Sequence, residues 1–177
     1  MEPTPSLLPT FDQPMSEIRL LYLGKRLVVG VAIVRNFSEE AEGKLVQKRK
    51  LLILQRSATE DAYPFMYEIP GGHVEEEDNS LFATVRRETL EETGLIVKRI
   101  TGEFEGFEYE TKKGITVQLN FFVEVEPEGD APPQVQINPE EHQAYAWVSL
   151  QDNLEAFPMT SSMTAVVNDA LKLMQDI

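Results

Sequence analysis

The stretch GGHVEEEDNSLFATVRRETLEETGL, Gly71 to Leu95, constrains this chain more than any other. Two adjacent glycines lead into an acidic turn. Asp78, Asn79 and Ser80 are all residues that cap helix N-termini, and Gly94 suits a left-handed C-terminal cap, so a helix is expected between them. At about 100° per residue, Leu81, Phe82, Val85 and Thr89 share one face, a core-facing stripe. Glu88, Glu91 and Glu92 fall in the neighbouring arc, at the edge of the buried face. Three like charges at i, i+3 and i+4 repel one another unless cations sit among them. Arg87, four residues before Glu91, can pair with that acid and orient it. Acids in the C-terminal half of a helix also oppose its dipole. From composition alone the run RETLEE reads as a solvated helix face. The glycine pair upstream, whose backbone can closely approach a metal or phosphate, favours a site instead.

The rest of the chain reads as strands and one more helix. RLVVGVAIVRN (26–36) is β-branched and apolar, as a buried strand should be, and LLILQR (51–56) is expected to pair with it as a hairpin, with a charged loop in the middle of 38–50. YEIP is a short extended segment stopped by Pro70. LIVKRITGEFEGFEYET and ITVQLNFFVEVE form two long strands around the KKG turn at 112–114. In the second, Val117, Leu119, Phe121, Val123 and Val125 alternate toward one buried face. Residues 127–141 form a long polar loop of the kind that often carries function. AYAWVSL is a short strand, and Met163, Val166, Val167, Ala170, Leu171 and Met174 recur at helical spacing. Strands, helix, strands, helix without regular alternation predict a mixed sheet with helices packed on it. Residues 1–16, with four prolines, are read as an N-terminal arm, and 17–177 as one domain.

Charge and composition narrow the partners. Thirty acidic against 16 basic residues give a net charge of −14. Such a surface repels polyanions, which argues against long nucleic acid. A small phosphorylated ligand fits if cations neutralise the contact. There is no cysteine, hence neither a disulfide framework nor a thiolate metal site. No apolar run approaches membrane-spanning length, and the first residues lack a secretory pattern; the expected location is cytoplasmic, with no membrane partner. Clustered glutamates suit hard divalent ions, which bind carboxylates, water and substrate phosphates.

The segment resembles the Nudix box, G-x5-E-x7-R-E-U-x-E-E-x-G-U, where U is bulky and apolar. Arg87, Glu88, Glu91, Glu92, Gly94 and Leu95 match its second half, with Thr89 in place of an apolar residue. YEIPGGHVE and LLILQR match the usual lead-in, and EEHQAYAWVSL is similar to a family segment in which an acid precedes a strand ending in Trp-Val. The first half departs from the box. Counting from Gly72 puts its first glutamate at Asp78, and counting back from Arg87 puts it at Asn79, as though one residue were inserted.

The resemblance implies an α/β/α sandwich with a mixed sheet, and a pyrophosphohydrolase that uses Mg²⁺ or Mn²⁺ to cleave a phosphoanhydride in a nucleoside diphosphate-linked or nucleoside triphosphate substrate. It implies metal ligands at Glu88, Glu91 and Glu92 with a backbone carbonyl of Gly71 or Gly72. A catalytic acid is expected near Glu141, and Arg87 as an orienting partner. Arg56 and Gly71 are candidate substrate contacts. Tyr63, Phe65, Phe107, Tyr109 and Phe157 are candidates for base contacts, and each also fits a core role. His73 and His142 are expected in polar loop roles. The alternative reading is a non-catalytic nucleotide sensor of the same fold; isopentenyl diphosphate isomerase shares the fold but relies on a cysteine this chain lacks. Monomer and homodimer both stay open.

Overall fold

The structure, a computed structural model, describes residues 11–41, 43–126 and 134–176. In chain order the elements are α1 (Met15–Leu21), β1 (Arg26–Ala41), β2 (Lys44–Arg56), β3 (Tyr67–Glu68), β4 (Gly71–His73), α2 (Leu81–Thr93), β5 (Ile96–Thr111), β6 (Gly114–Glu126), β7 (His142–Val148), a 3-10 turn (Leu154–Ala156) and α3 (Ser161–Leu173).

The mixed sheet runs β3-β2-β1-β6-β5, with β4 added to β1 and β7 to β2. β1 is the central strand. Its first half lies parallel to β6, Val29 beside Leu119, and its second half antiparallel to β2, Val34 opposite Leu51. Alternation along β1 then fills two cores. Leu27, Val29, Val31 and Ile33 face α1 and α2; Ala32 and Val34 face α3. The expected face of β6, Val117 to Val125, lies in the first core, and Phe122, an apolar residue on the opposite face, belongs to the second. Phe121 is fully buried, with the rings of Phe11 and Phe82 edge-on at 5.8 Å each. Removing such a side chain costs about 3–5 kcal/mol. The sheet with helices on both faces is the expected α/β/α sandwich.

Three local expectations change. The strands continue through 38–41 and 44–50, so most of the charged stretch is hairpin and not loop, Glu39 pairing across to Val46. Glu39 reaches Lys48 at 3.0 Å and Lys50 at 2.5 Å, so the polar part of the ladder is held by opposite charges. Gly71 and Gly72, which the sequence marks only as the lead into a turn, form strand β4, Gly72 opposite Val29. Residues 15–16, assigned to the arm, begin α1, which buries Met15 and Ile18; residues 1–10 lie outside the described part. Of the predicted loop 127–141, residues 127–133 also lie outside it, and 134–141 have no regular structure beyond a turn.

Candidate metal and phosphate site

The predicted helix is α2. Ser80 caps it, its hydroxyl accepting from the Ala83 amide at 3.1 Å, and Gly94 closes it at φ 67° with its N–H on the Leu90 carbonyl. Leu81, Val85 and Thr89 are fully buried. The glutamates sit deeper than the edge position expected for them: Glu88 is 8% exposed and Glu92 5%, while Glu91 faces solvent.

β4 sets the glycines against this helix. A Cβ on Gly72 would lie 2.6 Å from the Glu88 carboxylate, and one on Gly71 would lie 2.0 Å from the Val29 carbonyl oxygen. Glycine is therefore required at Gly71, where the obstacle is backbone, while Gly72 leaves the space that the Glu88 carboxylate occupies. The Gly71 amide donates to Glu92 Oε2 at 2.9 Å, tying the strand to the last turn of the helix.

Arg87 organises the other side. Its guanidinium grips Asp78 with two bonds, Nε to Oδ1 at 3.2 Å and Nη2 to Oδ2 at 2.8 Å. It also reaches Glu88 at 2.7 Å, Glu91 at 3.1 Å and the His73 carbonyl at 2.9 Å. The sequence pointed to Glu91 alone. Asp78 also accepts from the Glu75 amide and the Thr84 hydroxyl, both at 2.9 Å. The departure in the first half of the box is thus closed: Asp78 is buried and supplies the carboxylate that fixes Arg87. Burial pushes the Asp78 carboxyl up, but the bonds from Arg87, Glu75 and Thr84 outweigh it and hold the carboxyl below its ordinary range. Arg87 in turn is held firmly protonated, first by Asp78.

Beyond the helix, residues 134–142 dock on its C-terminal end. The Gln136 amide donates to the Thr93 carbonyl at 2.8 Å and the Asn138 amide to the Glu92 carbonyl at 3.3 Å, satisfying carbonyls the helix leaves open. The Ser57 amide binds the Glu141 carbonyl at 2.8 Å, and the His142 amide binds the Asn138 carbonyl at 2.8 Å. Glu141 is thereby brought beside the box glutamates. One ligand atom each from Glu92, Glu141 and His142 lie within 4.8 Å of one another. Burial drives the Glu92 carboxyl well above its ordinary range; the Gly71 amide opposes this, and Glu68, Glu88 and Glu141 add to it. Glu88 is raised too, again chiefly by burial, with Arg87 pulling it back in part. No lysine or arginine among the described residues pairs with Glu92 or Glu141. A buried carboxylate without a counter-ion is costly to keep charged. The donors are carboxylate oxygens with one imidazole, a set that fits a divalent ion.

His142 corrects its expected loop role. It starts β7, is 1% exposed, and its Nε2 lies 3.2 Å from Glu68 Oε1. Glu68 and His142 were missed as site residues. The available signal was register: Arg56 is opposite His142, and Glu68 opposite Leu54 two residues earlier, which puts all three on one sheet face. His73 is exposed, with Nε2 3.5 Å from Arg26. Arg56 bonds the Ala62 carbonyl and Glu68, both at 2.8 Å, and pairs with Glu60, so it organises acids around the site. Among the aromatic candidates, Tyr63 and Phe65 are exposed at left-handed φ of 51° and 65°. Such backbone strain in a non-glycine loop clusters near functional sites. Phe107 and Phe157 pack on the second core, Phe157 edge-on to Tyr67, and Tyr109 lies 5.5 Å from Phe107.

Solved structures share this architecture. A MutT NUDIX hydrolase from Burkholderia pseudomallei aligns at TM-score 0.59 and 22% identity, over 84% of this chain and 96% of that one. The Caenorhabditis elegans Ap4A hydrolase in a binary complex aligns at 0.57 and 22%, over 85% and 96%. The NUDIX domain of Shewanella oneidensis NrtR, complexed with ADP ribose, aligns at 0.62 and 18%, over 95% and 96%. At these identities the likeness is one of fold. No curated protein sequence matches the chain significantly. The NUDIX domain model, however, matches residues 24–169, most of the chain and the whole of the site just described, and the chain belongs to the NUDIX family.

Proposed function

We propose that this chain is a Mg²⁺- or Mn²⁺-dependent pyrophosphohydrolase, cleaving a phosphoanhydride in a nucleoside diphosphate-linked or nucleoside triphosphate substrate. Family membership supports the reaction class. The observation that carries the metal dependence is the buried Glu92 close to Glu141 with no lysine or arginine among the described residues paired to either. Glu88, Glu91, Glu92 and Glu141, with the carbonyl of Gly71 or Gly72, are the groups that would hold divalent ions. When bound, such ions neutralise the diphosphate, stabilise charge on the leaving phosphate and acidify water.

The chain's own groups do the rest. Glu141, exposed and held by Asn138 at 3.3 Å, is the carboxylate best placed to take a proton from the attacking water. Arg87 fixes Glu88 and Glu91. Tyr63 and Phe65 present rings to the solvent beside the Arg56 end of β2, where a base could stack. Arg56 still has two N–H directions beyond its bonds to Ala62, Glu60 and Glu68, enough for a phosphate contact. No helix among the described residues is long and apolar enough to cross a membrane. We place the protein in the cytoplasm, acting on small nucleotides rather than long nucleic acid.

The test is a panel of nucleoside triphosphates, ADP-ribose and dinucleoside polyphosphates incubated with Mg²⁺ or Mn²⁺ and resolved by chromatography. Divalent-dependent release of phosphate or mononucleotide is expected. Release that survives Glu91→Gln and Glu92→Gln together would sink the assignment. Ligand-induced thermal stabilisation without turnover would favour the sensor reading, whose sequence basis, the irregular first half of the box, is weakened by the Asp78–Arg87 pair.

A further inference from the structure

We propose that His142 is itself a metal ligand, giving the centre one nitrogen donor and a preference for a transition ion such as Mn²⁺, Co²⁺ or Zn²⁺ over Mg²⁺. This rests on the metal-dependent reading above and specifies the ion.

Three observations carry it. A ring nitrogen of His142 and one carboxylate oxygen each of Glu92 and Glu141 lie within 4.8 Å of one another. Nδ1 of His142 is sealed from solvent and has no hydrogen-bond partner, although the rest of the ring is held in place. Leaving a buried polar atom unpaired is costly, so something is expected to meet it. Finally, Nε2 is 3.2 Å from Glu68 Oε1. The carboxylate accepts, so Nε2 carries the proton and the lone pair falls on Nδ1. A carboxylate bonded to one imidazole nitrogen while the other meets a metal is the usual arrangement around metal-bound histidine.

The surroundings agree. Glu68 is fixed by Arg56 Nη1 at 2.8 Å, so the imidazole has a firm partner. Glu92 uses Oε2 for the Gly71 amide, and its Oε1 accepts no hydrogen bond from the described residues. Glu141 receives one bond, from Asn138 to Oε1. Each carboxylate thus has an oxygen to offer. Mg²⁺ takes oxygen ligands almost exclusively, whereas imidazole suits transition ions, whose affinity rises from Mn²⁺ through Co²⁺.

The chain has two histidines, which makes the test clean. Mn²⁺-loaded protein is examined by electron spin-echo envelope modulation for directly bound ¹⁴N. Wild type and His73→Gln are expected to show one histidine nitrogen, and His142→Gln none. By titration calorimetry, His142→Gln should bind Mn²⁺ on the order of 10-fold more weakly, with Mg²⁺ affinity little changed. Absence of ¹⁴N coupling in Mn²⁺-loaded wild type overturns the inference whether or not the variant folds, as does coupling that persists in His142→Gln. Hydrolysis with all-oxygen coordination would leave the proposed function standing and remove this ligand. Nitrogen coupling without turnover on any nucleotide would do the reverse.

Discussion

Two groups of acids flank the box helix, and the fold treats them in opposite ways. Around Arg87, Asp78, Glu88 and Glu91 share one guanidinium, within 3.2 Å of it. Around Glu92, Glu141 joins a residue that is 5% exposed, and Arg56, which feels the charge of Glu92, is bonded to Glu60 and Glu68. The titration behaviour splits accordingly. Asp78 is pulled below its ordinary range and Glu92 is pushed well above it. Where the protein supplies a cation, Asp78 acts as a structural clamp and Glu88 and Glu91 are held in position. Around Glu92 and Glu141 no lysine or arginine among the described residues pairs with either acid, and the donor set there fits a divalent ion.

The largest expected effect breaks the second group. Glu92→Gln should lower kcat/KM on the order of 10²- to 10³-fold, while the metal-free protein should be no less stable in urea, because a buried charge has been removed. A variant that unfolds easily yet still hydrolyses would reverse the two roles. Next comes Arg87→Ala, which strips the first group of its counter-ion. Urea melts should show a loss of about 3 kcal/mol, with Arg87→Lys recovering part through its charge but not through the two-pronged grip on Asp78.

Asp78→Asn sharpens the contrast through pH. The native carboxyl titrates below its ordinary value of 3.8. Its stabilising contribution is therefore fully present above that value and disappears as pH falls through the native pKa. The asparagine variant should be less stable than wild type at pH 7 by about 1–3 kcal/mol, and the gap should close on acidification. An undiminished gap at pH 2.5 in thermal melts would assign the effect to packing instead. The smallest effect is expected from Gly72→Ala. Its Cβ meets the Glu88 carboxylate, the far end of a side chain, so stability should change by less than about 1 kcal/mol. The thermal shift produced by Mn²⁺ should nonetheless shrink, since Glu88 must move.

Much of this was legible in the residues. Ser80, Gly94 and the stripe from Leu81 to Thr89 specified α2 by local rules, and alternation specified β6. The polar half of the hairpin was not, because charged residues lose their strand signal unless the partner strand is known; Glu39 becomes strand-compatible only opposite Lys48 and Lys50. The site was legible where its members are near in sequence, from Arg87 to Glu92. His142 and Glu68, 74 positions apart, meet through the register of β2 with β3 and β7. No spacing rule encodes that. Asp78 was visible as an irregularity, and its role came from three-dimensional reach: with α2 beginning at Leu81, a short side chain folds back onto both Thr84 and Arg87.

The docking of Gln136 and Asn138 on the open end of α2 has a further consequence. Because the amides that carry Glu141 and His142 into place are anchored to the carbonyls of Thr93 and Glu92, the two halves of the acid pair belong to one mechanical unit. The spacing of Glu92 and Glu141 is thus set by backbone bonds from Gln136 and Asn138 onward rather than by the chain that precedes them.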